Sequence, residues 1–213
     1  MRLPIQVLGV RYLANADPGL CRSLGAPEGW TSLGILTTDC DDGTYIALDQ
    51  ATKAAEVRVI YGASFYGGAK NAATPNAGEV IGILAGKTPG AVKSGMEAAL
   101  EAIRTLGFQD LQGVPCLAHT VSAVGTHLAK EAGVEPGTAL AYLIAPPLEA
   151  VYGLDFALKA AQVRLCKLYA PPTETNFGGG LVSGSRSACM EAAEAFRQAV
   201  EEVAKAPQSG KEF

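Results

Sequence analysis

Few residues of this chain stand at spacings that could do chemistry. "DCDDG", from Asp39 to Gly43, gathers three carboxylates at a strand-to-helix turn. Asp39 and Asp41 share one side of an extended chain, so Asp41 could face a ligand or a pore, while Asp42 suits a helix cap. The segment is not an EF-hand. Counted from Asp39, Thr44 and Gln50 stand where that loop needs Gly and Glu. Cys116 and His119 are the only Cys/His pair at ligand-like spacing, with His127 further on. One such pair is weak support for a metal, and packing on a strand and a short helix accounts for all three residues. "GILAGKTPG" imitates a phosphate loop, but Gly82 and Gly86 enclose one residue too few. With two histidines, no Ser/His/Asp or Cys/His arrangement is readable from spacing. "APPLEA" and "APPTETN" remain. In the first, Glu149 falls in the first turn of a helix, where a carboxylate is favourable. In the second, Pro171 and Pro172 stiffen a short loop that continues through Thr173, Glu174, Thr175 and Asn176. Stiff, polar loops of small residues suit the rim of an opening, and ordinary turn chemistry would use the same residues. The expectation is no catalytic residue, no metal and no cofactor.

The elements that must hold these residues occur twice. "LDQATKAAEVRV" (48–59) and "LDFALKAAQVRL" (154–165) agree at eight of twelve positions, at an offset of 155 − 49 = 106. In the first half "IQVLGVRYL" reads as a strand. Asp17-Pro18 opens a short helix that Gly25 closes. "LGILTTD", a helix from Asp42 through Ala55, "EVRVIYG" and "EVIGILAG" follow, and Thr88-Pro89 opens a long helix ending at Gly107. The second half matches with "CLAHTVSAV", "THLAKEAG", "TALAYLIA", a helix from Pro147, "QVRLCKLYA", "FGGGLVSG" and a helix from near Ser185. Val92, Met96, Ala99, Ile103 and Leu106 make an apolar stripe at helical spacing, and Cys189, Ala193, Phe196, Val200 and Val203 repeat it at an offset of 189 − 92 = 97. The offset falls by 106 − 97 = 9 across the loop between the third and fourth strands, so the first copy's loop, Ala63–Ala77, is nine residues longer. It is rich in Gly, Ala and Asn, which adopt several backbone conformations cheaply. The expected fold is α/β, an α+β sandwich of two tandem domains, 1–107 and 108–213.

Composition narrows the function class. Charged residues are 18% of the 213, below the ~25% typical of soluble domains, and hydrophobic residues are 48%. Low charge without a membrane span points to surface covered by other subunits. Net charge is −4 and there is no basic run, so nucleic acid is not expected. Five cysteines at irregular spacing argue against a disulfide framework and fit a reducing cytoplasm. "MRLPIQVLGV" begins like a signal peptide, but Gln6 and Arg11 break the apolar run, and a first strand is the better reading. No stretch of about 20 apolar residues is present to cross a membrane.

"YLIAPPLEAVYGLDFALKAAQV", "APPTETNFGGGL", "SLGILTTDCDDGTYIALDQATKAAEV", "VIYGASFYGGA" and "AGEVIGILAG" together resemble the EutL family, the tandem-domain shell proteins of ethanolamine-utilisation bacterial microcompartments. The resemblance covers nearly the whole chain. It implies two circularly permuted microcompartment (BMC) domains, ferredoxin-like in fold. It also implies a homotrimer forming a pseudohexameric tile beside other shell proteins in a cytoplasmic, protein-walled organelle. A central pore would be gated by the two loops between third and fourth strands: Tyr61, Phe65, Tyr66, Gly67 and Gly68 in one, Pro171, Pro172, Thr173, Glu174 and Asn176 in the other. Small pores that can hold ethanolamine would be lined by Asp41, Glu79, Phe108, Glu149 and Thr175. That set makes chemical sense, since carboxylates attract an ammonium, an aromatic face adds cation–π attraction and a hydroxyl can bond an alcohol.

Two other classes remain open from the residues alone. One is a small-molecule sensor built on a duplicated module. The other is an enzyme using Asp41 and Glu149 as acid and base, for which no nucleophile or cofactor motif is visible.

Overall fold

The structure is a computed structural model and describes residues 1–65, 80–171 and 173–208. The chain divides into two compact units. One comprises Pro4–Gly107 and Val124–Lys130; the other comprises Met1–Leu3, Phe108–Ala123 and Glu131 onward. The short stretches 1–3 and 124–130 thus each belong with the half of the chain that does not contain them in sequence.

In the first of these units, β2 (Val7–Leu13), β3 (Ser32–Thr38), β5 (Val80–Gly86) and β4 (Val57–Ser64) form an antiparallel sheet in that order. One face carries α2 (Asp41–Ala54) and α3 (Pro89–Thr105). The stripe residues of α3 are all buried, from Met96 and Ala99 at 0% exposure to Leu106 at 5%. On the other face Leu33, Ile83 and Ala85 pack with Ala16, Cys21 and Trp30, contributed by the chain around α1 (Pro18–Ser23). The start and stop of α1 follow local chemistry. Asp17 accepts the Leu20 amide at 2.9 Å, Pro18 takes the first helical position, and Gly25 adopts φ +80° after the last turn.

The other unit repeats the order as β7 (Val114–Val121), β8 (Leu140–Ala145), β10 (Gly178–Gly184) and β9 (Val163–Tyr169). Helices α5 (Pro147–Ala160) and α6 (Arg186–Lys205) cover one face, with Leu143, Ala145, Leu154, Val182, Cys189, Phe196 and Val200 in the core. The long helices open alike: Thr88 accepts the Ala91 amide and Ser185 the Ala188 amide, each at 3.1 Å. Gly179 sits at φ +150° where a Cβ would collide with the Leu143 carbonyl oxygen, so a close approach of β10 to β8 requires glycine.

Two elements were not anticipated. β1 (Arg2–Pro4) and β6 (Gly107–Leu111) extend the second sheet to six strands, in the order β1-β6-β7-β8-β10-β9. β6 and β7 form a hairpin whose turn places Gln112 at φ 58° and Gly113 at φ 89°, and Asp110 Oδ1 accepts the Gly113 amide at 2.6 Å. α4 (Thr126–Ala132) matches the expected short helix.

Candidate functional site

The turn into α2 is assembled by hydroxyls. Thr38 Oγ1 accepts the Cys40 amide at 3.1 Å and lies 2.7 Å from Thr44 Oγ1, which donates to the Cys40 carbonyl at 2.7 Å. This wraps the chain so that Cys40, in an extended conformation, is the N-cap, and it corrects the expected cap at Asp42. Asp41 and Asp42 instead occupy the first helical turn, where the helix dipole favours negative charge. Both are buried, at 8% and 7% exposure. Asp39 points elsewhere, accepting the Gln6 amide at 2.8 Å.

Burial pushes the Asp41 carboxyl above the usual carboxylate range. Hydrogen bonds from the Ser64 hydroxyl and the Asp42 amide, the latter at 2.9 Å, work against that rise. Among the described residues no cation forms an ion pair with Asp41. Desolvation without a countercharge favours the neutral carboxyl, and the donors favour the ionised one. Cys40 beside it is held far from its thiolate by burial and by the three neighbouring carboxylates.

Phe108, Glu149 and Thr175 sit in the second unit. Phe108, on β6, packs its ring against Phe177, with centroids 5.4 Å apart and planes tilted by 52°. Phe177 closes the loop after β9: the Thr173 amide donates to its carbonyl at 2.9 Å, and the Asn176 amide donates to the Thr173 carbonyl at 3.0 Å. Asn176 takes φ 65°, a left-handed conformation that Asn tolerates better than most residues. Thr173 and Thr175 hydroxyls are 3.3 Å apart and half-buried, and Glu174 is exposed at the tip. Pro171 lies against Gly178, where a Cβ would stand 2.7 Å from the ring. Glu149 is half-buried in the first turn of α5. The structure therefore joins Thr175, Phe177 and Phe108 through one closed loop. Tyr61 is exposed on β4 and Phe65 follows that strand half-buried. Glu79, Tyr66, Gly67, Gly68 and Pro172 lie outside the described residues.

The look-alike motifs resolve into ordinary structure. "GILAG" is the interior of β5, and Thr88 caps α3. Cys116 and His119 are three apart on β7, so their side chains leave opposite faces. Cys116 is buried among the core residues under α6. The His127 ring lies 6.0 Å from that of Tyr45.

One buried group escaped the sequence reading. Asp49, fully buried within α2, accepts the Gly125 amide at 2.7 Å on Oδ2 and the Leu128 amide at 2.9 Å on Oδ1. Thr52 Oγ1 accepts the Thr126 amide at 3.0 Å. Two side chains of α2 thus serve the N-terminus of a helix far away in sequence. Its periodicity gave no signal, because Asp49 sits where a surface residue would.

The comparisons agree with this architecture. Residues 32–112, from β3 through β6, match the BMC domain family. The chain is 52% identical to the bacterial microcompartment shell protein EutL of Clostridium perfringens (strain 13 / Type A), over 94% of each chain. It is 44% identical to that of Escherichia coli (strain K12), again over 94% of each. Among solved structures, ethanolamine utilization protein EutL from Leptotrichia buccalis C-1013-b superimposes with a TM-score of 0.95 at 55% identity, covering 99% of both chains. The trimeric shell protein PduB superimposes at 0.75 with 18% identity, covering 94% of this chain and 89% of that one, which is a likeness of fold alone. Strand order, paired helices and full-length identity together establish that the chain belongs to the EutL family of bacterial microcompartment shell proteins.

Proposed function

We propose that this chain is a structural tile of an ethanolamine-utilisation microcompartment shell, that three copies close into a pseudohexamer, and that the tile passes metabolites without transforming them. The observation that carries this reading is the 52% identity to a EutL shell protein over 94% of both chains. The surface supports it. Leu148 and Val151 on α5 and Leu165 and Leu168 on the edge strand β9 are exposed at 60%, 56%, 38% and 52%. Such apolar side chains beside an unpaired strand edge suit coverage by another copy. The contact would be heterologous, and heterologous contacts that close make rings.

In this reading Asp41, Glu79, Phe108, Glu149 and Thr175 line a small pore that admits amines such as ethanolamine. The buried carboxyl of Asp41, which makes no ion pair among the described residues, supports that preference. A central pore would be bounded by the loop after β4, rooted at Tyr61 and Phe65, and by the loop after β9 with Pro171, Thr173, Glu174 and Asn176. The domains would be 1–107 and 108–213, with short exchanged segments. Light scattering of purified protein should give three copies, and electron microscopy of concentrated samples should give sheets or tubes. A stable monomer, or small oligomers that bind an amine yet never form sheets, would replace this reading by a sensor.

A further inference from the structure

The loop between β9 and β10 is held shut by its own backbone. The Thr173 amide donates to the Phe177 carbonyl at 2.9 Å, and the Asn176 amide donates to the Thr173 carbonyl at 3.0 Å. Asn176 completes the turn at φ 65°, a left-handed conformation open to Asn and Gly but strained for a β-branched residue. Thr175 stands within this closed turn. The Phe177 side chain then fixes the turn to another element. Its ring packs on that of Phe108 in β6, with centroids 5.4 Å apart and planes tilted by 52°, a separation and tilt that aromatic pairs favour. All of these residues belong to one compact unit.

The Thr175 hydroxyl is the group this arrangement leaves available. It is half-buried, and its hydrogen-bond partner among the described residues is the Thr173 hydroxyl, 3.3 Å away. Hydroxyl pairs ordinarily sit closer, at about 2.7–2.8 Å, so this contact is loose. Each hydroxyl has one proton and two lone pairs. The pair uses one proton and one lone pair, and the rest can meet a third polar group.

We propose that Phe177 is a positioning residue for Thr175. By clamping the turn to Phe108 it fixes where the Thr175 hydroxyl stands, and so sets how strongly the site prefers an amino alcohol to a plain amine. This rests on the reading that Thr175 lines a pore for small amines, a reading that gives Phe177 no part. The physical ground is entropy. A loop free to move loses conformational freedom when its hydroxyl meets a ligand, and the ring pair removes that loss beforehand. In the pore reading carboxylates on other elements meet the ammonium end, so the clamp bears chiefly on the alcohol end.

The test titrates ethanolamine and propylamine, which differ by a hydroxyl against a methyl, into the intact chain by calorimetry at neutral pH. Thr175→Val, which trades the hydroxyl for a methyl of the same shape, is the reference. It should weaken ethanolamine about tenfold, the size of one hydrogen bond, and leave propylamine within about twofold of wild type. Phe177→Leu keeps an apolar side chain but loses the ring pair, and should show the same pattern. Phe177→Tyr keeps the ring and should restore the wild-type preference. Asn176 is exposed, so its variants probe the same turn without touching the core. Asn176→Val, strained at φ 65°, should copy Phe177→Leu, and Asn176→Gly should behave as wild type. If Phe177→Leu and Asn176→Val weaken both amines equally, or leave the preference unchanged, while Thr175→Val separates them, the loop only supports the fold and the proposal is overturned with Thr175 still in its place. If wild type binds neither amine, or Thr175→Val does not separate them, the pore reading of Thr175 fails and the proposal falls with it.

Discussion

Asp49 and Gly125 are 76 residues apart in sequence, and the Gly125 amide donates to the Asp49 carboxylate at 2.7 Å. The glycine is needed there. A Cβ would collide with Thr52 Oγ1 and stand 2.7 Å from the Asp49 carbonyl oxygen. The carboxylate is fully buried, and its second oxygen caps the same helix start through Leu128. Lys53, at 3.8 Å, supplies the only ion pair of Asp49 among the described residues.

Replacing Asp49 by Ala should therefore cost roughly 2–5 kcal/mol, because two buried amides lose their acceptor. Its repeat mate Asp155 is a control. It is exposed and paired with Lys159 at 2.6 Å across one helical turn, and Asp155→Ala should cost about 0.5 kcal/mol or less. Urea unfolding at equal protomer concentration would measure both. Equal effects would refute the buried-cap account.

Asp41→Asn should stabilise the protein at neutral pH and do so less in acid. The folded-state pKa of Asp41 is raised by burial, so the folded protein binds its proton before the unfolded chain does. Stability of wild type therefore falls as pH rises from the unfolded value through the raised folded value, and the full deficit is present above it. Asn removes this dependence. Thermal melts of both proteins across pH 4–8 should converge at the acid end.

Gly179→Ala should prevent stable folding of the second sheet. Its new methyl group would meet the Leu143 carbonyl, and φ +150° is strained for any other residue. Gly137→Ala also forces a positive φ, but nothing lies within 4 Å of its Cβ. It should cost only about 1 kcal/mol. Soluble yield and far-ultraviolet circular dichroism separate the two.

The thiols should be slow to react in the native protein. Burial pushes the Cys116 thiol up to about 12, and burial likewise raises Cys40, Cys166 and Cys189. A disulfide-exchange reagent at pH 8 should modify few groups in minutes and all five after denaturation. Rapid native reaction of Cys116 would contradict its packing under α6.

What could be read from the sequence tracks how local its cause is. The caps at Asp17, Thr88 and Ser185 and the stripes of α3 and α6 depend on neighbours within a turn, and they were legible. So was the doubled strand order, because eight shared positions mark the same helix and strand twice. The repeat also concealed something. Asp49-Lys53 and Asp155-Lys159 are the same motif at the same offset, yet one carboxylate is buried as a cap and the other is a surface pair. Only a distant partner distinguishes them. β6 was missed for a related reason: Gln112-Gly113 is a hairpin turn, but five residues alternate too briefly to announce a strand. The small-pore set came from likeness to a family, since nothing in local spacing links Asp41 to Phe108, Glu149 or Thr175.

The exchanged stretches bear on how such a gene can change. A duplicated gene can usually be split again, and each half then drifts alone. Here a cut after Gly107 would release a first product without residues 124–130, and the Asp49 carboxylate would lose both amides that donate to it. The second product would lack the N-terminal strand that borders β6. Each fragment would carry the other's missing part, so the two copies must be inherited, expressed and selected together.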